Sequence, residues 1–227
     1  MTNLETILLV RHARSVANDD PSVYRTTPDH AISLSHPSDD PGALMAGRAV
    51  RALGLDPAEV TSWCSTYLRC QQTEQLVLGE AFGDRAAFIR RRMSFLLREQ
   101  EFGDWDSLTE DEIALADPVR FARRKLLSDA LGRFYFRYPG GESRADVTQR
   151  LAVFIGKIHR TSHRHHIVFL HGVTQRAFRM SWMDRSVEWF EAEPNPPNAS
   201  VLVLQRTQAA TLLRDEHAPR WHERLLI

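Results

Sequence analysis

The chain has 227 residues, with 29 basic and 29 acidic side chains, zero formal net charge and two cysteines. That length is enough for one α/β domain with a sizeable core. Neutrality excludes a protein that binds polyanions over its whole surface, so no nucleic-acid partner is expected, yet one arginine-rich pocket is compatible with it.

Met1-Thr2-Asn3-Leu4-Glu5 holds no basic segment, and the apolar run after it is too short for a signal core. No stretch approaches the ~20 apolar residues of a membrane span. A cytoplasmic protein with no membrane partner is expected. Residues 6–10 predict a buried strand, and a helix is predicted to begin near Ser15. Residues 19–42 are polar and punctuated by Pro21, Pro28, Pro37 and Pro41, which predicts a long loop. Loops of that length are either substrate walls and lids or surface insertions. A helix is predicted over 43–53, a strand over Val60–Ser65 and a helix over Leu68–Leu78. Cys64 and Cys70 form neither a disulfide framework nor a C-x-x-C pattern, which points to a reducing compartment, with Cys64 a buried strand residue. Phe88-Ile89-Arg90 predicts a third short strand, and Arg90-Arg91-Arg92 reads as a solvated strand edge. Two helical patterns over 109–130 break at Asp117-Pro118, within a helical insertion at about 106–138. Pro139-Gly140-Gly141 predicts a tight turn before Glu142. Val147, Leu151, Phe154, Ile155 and Ile158 keep helical spacing over 143–159. A strand over Ile167–Leu170, a helix over Val173–Met183 and closing strands at Val201–Leu204 and Thr211–Leu213 complete the order. Strands alternating with helices imply a single three-layer α/β domain over 1–227, with a mainly parallel sheet covered on both faces.

Two strand ends carry the chemistry. The first apolar run delivers Arg11-His12-Ala13-Arg14-Ser15, with Asn18 three residues on, and the later run delivers His171-Gly172. A strand that ends in a histidine and opens into a helix pins the imidazole beside the free N–H groups of a helix start. Arg69 follows the second strand, with Thr73 one turn later. Groups at the carboxyl ends of parallel strands converge in one crevice, so Arg11, His12, Arg69 and His171 are expected to meet. A phosphate monoester dianion needs such cations, an in-line nucleophile and a proton for its leaving oxygen. A neutral imidazole is a competent nucleophile, which makes His12 the candidate, with Glu99 as the acid candidate. Glu101 competes with Glu99, because alternation along a strand would turn both the same way.

Arg11-His12-x-x-Ser15-x-x-Asn18, Ser65-x-x-x-Arg69-x-x-x-Thr73, Glu99-x-x-Phe102-Gly103-x-Trp105, Pro139-Gly140-Gly141-Glu142-Ser143 and His171-Gly172-x-x-x-Arg176 stand in this order. Together they resemble the histidine phosphatase superfamily, also called the phosphoglycerate mutase-like family, over residues 7 to about 204. Ala13 stands where that family usually has glycine. Its Leu-Thr-x-x-Gly-x-x-Gln-Ala pattern is reduced here to Leu34-Ser35, an insertion and Gly47-Arg48-Ala49-Val50. The resemblance implies a phosphoglycerate mutase-like fold and a phosphohistidine intermediate on His12. It implies a phosphate pocket of Arg11, Arg69 and His171, and Glu99 rather than Glu101 as proton donor. Asn18 would bind phosphate or shape the turn, with Ser15 behind the site. Glu142 has two readings: it orients His12 by accepting the other ring N–H, or it caps a helix start. The Arg133–Ser143 stretch also resembles a subgroup of phosphoglycerate mutase-like proteins.

The expected activity is hydrolysis of a small phosphorylated substrate, a phosphate monoester, without cofactor or metal. His159, His163, His165 and His166 have no acidic or thiol partner beside them and read as a polar helix end. Two alternatives stand: a mutase that returns the phosphoryl group to a bound sugar acid, and a regulatory protein-binding member with vestigial activity. Mutases of this family typically carry a histidine-tyrosine-glycine segment after the acid, whereas Phe102-Gly103-x-Trp105 resembles the phosphatase branch. The sequence carries no signal for the oligomeric state.

Overall fold

A computed structural model describes residues 4–206 and 221–227. The strands are β1 (Thr6–Arg11), β2 (Val60–Cys64), β3 (Arg90–Met93), β4 (His165–Leu170), β5 (Val201–Arg206) and β6 (Trp221–Leu225). The helices are α1 (Val16–Asp19), α2 (Pro41–Arg51), α3 (Leu68–Phe82), α4 (Glu110–Ala116), α5 (Pro118–Leu131), α6 (Arg144–Ile158), α7 (Gly172–Met183) and α8 (Val187–Ala192). Among the described residues the strands form one sheet in the order β3-β2-β4-β1-β5-β6. The pairs β1–β4, β2–β4 and β2–β3 are parallel, and β5 runs antiparallel to both β1 and β6. The expected mainly parallel α/β sheet is therefore present.

Alternation along the strands divides the core between two faces. Ile7, Leu9, Val168 and Leu170 pack with Val147, Leu151 and Phe154 of α6 and with Ala177 and Phe178 of α7. Leu8, Val10, Ile167 and Phe169 point the other way, onto Ala46 and Val50 of α2 and Val77 and Leu78 of α3. Burying both faces is what makes the central strands continuous apolar runs.

Several expected boundaries shift, each for a local reason. Asp40 accepts from Ala43 N at 2.9 Å and Pro41 takes the first helical position, so α2 begins earlier than residue 43. A 3₁₀ segment captures Gly83–Phe88, which moves the third strand from 88–90 to Arg90–Met93. Arg90, Arg91 and Arg92 form that exposed edge, as read. Asp117 caps α5 with Pro118 at its first position, which produces the break between α4 and α5. Of the predicted closing strands, Val201–Leu204 lies within β5, and Thr211–Leu213 falls outside the described residues.

The histidines near β4 take separate partners. His163 Nδ1 lies 2.8 Å from Thr61 Oγ1, and His159 stacks on Trp182 at 5.1 Å. Among the described residues no three His, Cys, Asp or Glu side chains gather as a metal site. Trp63 Nε1 donates to His166 Nδ1 at 2.9 Å, so the ring proton sits on Nε2, 3.0 Å from Thr161 Oγ1. Burial, with His163 nearby, lowers His166 to about 4. Such a group adds stability above its unfolded value of 6.5 and loses it as pH falls toward 4, where only the unfolded chain binds the proton. Unfolding free energy from urea titration is expected to drop by about 2–3 kcal/mol on this account between pH 7 and 4. The drop should be smaller in His166→Gln. Equal pH slopes in the two proteins would reject the assignment.

Candidate active site

The three central parallel strands end level. Arg11 of β1 pairs with Leu170 of β4, and Cys64 of β2 pairs with Phe169. The residues that follow are His12, His171 and Ser65, so the register alone delivers two histidines to one edge. Arg69 joins them from the first turn of α3. The His12 and His171 rings lie 5.2 Å apart between centroids.

His12 is buried, and its Nδ1 lies 2.8 Å from the Ala13 carbonyl. A carbonyl only accepts, so Nδ1 carries the proton and Nε2 keeps its lone pair. Ala13 N donates to Thr73 Oγ1 at 2.9 Å, and Thr73 donates to the Arg69 carbonyl at 2.7 Å, which ties this turn to α3. Asn198 Nδ2 reaches the His12 carbonyl at 3.1 Å and Asn18 Oδ1 at 3.2 Å. Asn18 Oδ1 in turn accepts from Ser15 N and Ser15 Oγ at 3.1 and 3.0 Å, so Asn18 and Ser15 close the first turn of α1. Arg14 is exposed and pairs with Asp19.

Burial, then Arg69, hold both His12 and His171 well below the usual histidine range. Arg11 adds to this at both rings. Both rings are neutral at neutral pH. His171 Nε2 lies 2.9 Å from Ser65 Oγ, and the Tyr67 ring meets the imidazole edge-on at 5.0 Å. Arg69, 2% exposed, donates through Nη1 to the Asp29 carbonyl and to Asp29 Oδ1, both at 2.7 Å. Arg11 Nη1 donates to the Pro196 carbonyl, while its Nε is buried without a partner among the described residues. Arg176 turns away from this edge: its Nη1 donates to the carbonyls of Phe190 and Glu193 at 3.1 and 2.8 Å.

Glu99 sits at the start of α7, the helix that His171 caps. Its Oε2 accepts from Val173 N at 3.2 Å, and its Oε1 from Thr174 N and Thr174 Oγ1 at 3.3 and 3.1 Å. The segment carrying it is irregular after a 3₁₀ turn at Phe95–Leu97, so the strand alternation expected of Glu99 and Glu101 does not hold. Glu101 faces away and pairs with Arg98 Nε at 2.7 Å.

Glu142 corrects both of its sequence readings. The His12 ring N–H is taken by Ala13, and the cap of α6 is Ser143 with Asp146. The Glu142 carboxylate instead accepts from Arg98 Nη2 at 2.8 Å, Arg150 Nε at 2.9 Å and Glu101 N at 3.2 Å. Arg150 Nη2 also reaches the Glu99 carbonyl at 3.1 Å. Glu142 and Arg150 thus clamp the Glu99 segment from behind. Two glycines permit the approach. A Cβ on Gly103, at φ +58, would stand 2.0 Å from the Pro139 carbonyl, and one on Gly141 would stand 2.4 Å from that of Glu101.

Beyond Glu99 lies a cavity of about 310 Å³. Tyr24 and Asp29 of the 19–42 loop wall one side, and Trp105, Ile113 and Arg124 of the 106–138 segment contribute to the rest. Arg25 Nη2 bonds both carboxylate oxygens of Glu112 at 2.9 Å and joins the two segments. Asp29, Arg98, Arg150 and Asn198 escaped the sequence reading. Only Arg150 carried a signal, as a charge set between Val147 and Leu151 on the apolar stripe of α6.

The family model of the histidine phosphatase superfamily (branch 1) matches residues 7–216. Phosphoglycerate mutase-like protein AT74 of Arabidopsis thaliana is 34% identical over 221 residues, covering 89% of this chain and 65% of that protein. The chain therefore spans a little under two thirds of that relative. The broad-range acid phosphatase DET1 of Saccharomyces cerevisiae is 31% identical over 117 residues, 48% of this chain and 32% of that protein. Mycobacterial glucosyl-3-phosphoglycerate phosphatase shares the fold, with a TM-score of 0.66 at 21% identity over 97% of both chains.

Proposed function

The chain belongs to the histidine phosphatase superfamily, and from that membership we propose that it hydrolyses a phosphate monoester through a phosphohistidine on His12. The observation that carries the reading is the fixed tautomer of His12: Nδ1–H is held by the Ala13 carbonyl and Nε2 is left as a neutral nucleophile. Arg11, Arg69 and His171 surround the phosphoryl oxygens. Their cationic and N–H groups offset the charge that otherwise repels the attack. An incoming phosphoryl oxygen gives the buried Arg11 Nε an acceptor and shares Arg69 with Asp29.

In the first step His12 Nε2 forms a bond to phosphorus as the bond to the ester oxygen breaks, and Glu99 gives its proton to that oxygen. The carboxylate of Glu99 is held by N–H groups of α7 in the free protein. In the second step water adds to phosphorus, Glu99 takes its proton, and the P–N bond returns its electrons to Nε2.

Here the positive charge comes from arginines, which bind phosphate oxygens in forked geometry. Activity is expected to be unchanged in excess EDTA. Loss in EDTA that returns with added magnesium, manganese or zinc would contradict the arginine-based scheme. Catalytic turnover of an aryl phosphate that vanishes in His12→Ala tests the proposal as a whole, and it separates this reading from a regulatory member with vestigial activity.

A further inference from the structure

We propose that the alcohol released by this enzyme bears hydroxyl or ammonium groups and no negative charge, because the cavity beside Glu99 offers it carboxylates and aromatic rings. The inference rests on the phosphatase reading above, since Glu99 is what joins the cavity to the reacting oxygen.

Among the described residues lining the cavity, Asp29, Glu99, Asp106 and Glu110 are acidic and Arg124 is the sole cation. Arg124 is already engaged, with its Nη2 3.2 Å from Glu110 Oε1. Asp29 is engaged by Arg69 from the phosphate side. The Asp106 carboxylate accepts only from the backbone, at Ser107 N and 3.1 Å, among the described residues. Burial, and then Asp29, raise its pKa against the smaller opposing effects of Ser107 N and Arg69. A second phosphate or a carboxylate on the leaving group would meet like charge here and find no free cation. A hydroxyl or an ammonium would find acceptors.

The rings fit the same class. Tyr24, Phe102, Trp105 and Tyr138 line the cavity. Phe102 meets Tyr138 edge-on at 4.9 Å, and Trp105 stacks on Phe136 at 5.8 Å, so the walls are braced by their own packing. Aromatic faces accept the C–H side of a polyol and attract an ammonium. By this reading the sugar-acid substrate of a mutase does not suit this cavity.

The test compares glycerol 3-phosphate with 3-phosphoglycerate, which differ by a hydroxymethyl group against a carboxylate on the same backbone. Phosphoethanolamine separates the ammonium source from the hydroxyl source. The kcat/KM for glycerol 3-phosphate, phosphoethanolamine or both is expected to exceed that for 3-phosphoglycerate by about tenfold or more. Asp106→Asn should shrink that ratio severalfold by removing the unpaired charge. Glu110→Gln, on an exposed side chain, should do the same by freeing Arg124, and it serves if Asp106→Asn folds poorly. A ratio near or below one, or a ratio that neither variant moves, overturns the inference while His12-dependent turnover of nitrophenyl phosphate leaves the phosphatase reading standing. No turnover of any ester, nitrophenyl phosphate included, removes both.

Discussion

Replacing His12 with alanine is expected to lower the turnover of a phosphate monoester by at least about a thousandfold. His171 does not compensate, although it is neutral and its ring lies 5.2 Å away. Its Nε2 is turned to Ser65 Oγ at 2.9 Å, whereas that of His12 is left free by the Nδ1 bond to Ala13. The fold should survive the change. The His12 side chain makes its one hydrogen bond to the adjacent Ala13 carbonyl, and the turn is held by Thr73 and Asn198 through backbone atoms. An unchanged melting temperature with lost activity is the expected pattern. Near wild-type activity in this variant would sink the phosphohistidine mechanism.

Glu99→Gln is expected to cost about 10²- to 10⁴-fold with an alkyl phosphate, because the alkoxide leaves poorly without a proton. With a nitrophenyl phosphate the loss should be far smaller, since that leaving group needs little protonation. The contrast matters because Glu99 also bonds Val173 N and Thr174 N at the start of α7. A merely structural loss would slow both substrates alike. Glu101→Gln should cost little with either, as its carboxylate is half exposed and paired with Arg98. If the two substitutions exchange behaviour, the acid is Glu101. If neither discriminates between leaving groups, the proton comes from another group.

The parts of this site that could be read from the sequence are those set by strand ends. Ile7–Val10 and Ile167–Leu170 are buried on both faces, and that demand writes an apolar run whose polar successors, His12 and His171, must fall at the sheet edge. Arg69 follows by the same logic from β2. The break at Asp117-Pro118 was legible because a cap and a proline act locally. What was hidden depends on segments distant along the chain. Asp29 meets Arg69 across 40 residues, and Glu142 meets Arg98 across 44. Neither contact leaves a periodic trace. The readings of Glu142 as partner of His12 and of Glu99 and Glu101 as strand neighbours failed for this reason. The Glu99 and Glu101 reading treated an irregular segment as a strand, and the ring N–H that Glu142 was expected to accept is taken by Ala13. Strand β6 was missed because Trp221–Leu225 interleaves polar residues on an outer strand, where one-sided exposure weakens the apolar signal.

The most direct measurement is to catch the intermediate. Wild-type protein mixed with an excess of nitrophenyl phosphate is quenched in alkali during turnover, digested and mapped by mass spectrometry. One phosphoryl group on His12, absent from His12→Ala and from protein quenched before substrate is added, is the expected result. A phosphoryl group on any other side chain, or steady turnover with no covalent phosphate at any time point, would contradict the assignment of His12 as the nucleophile.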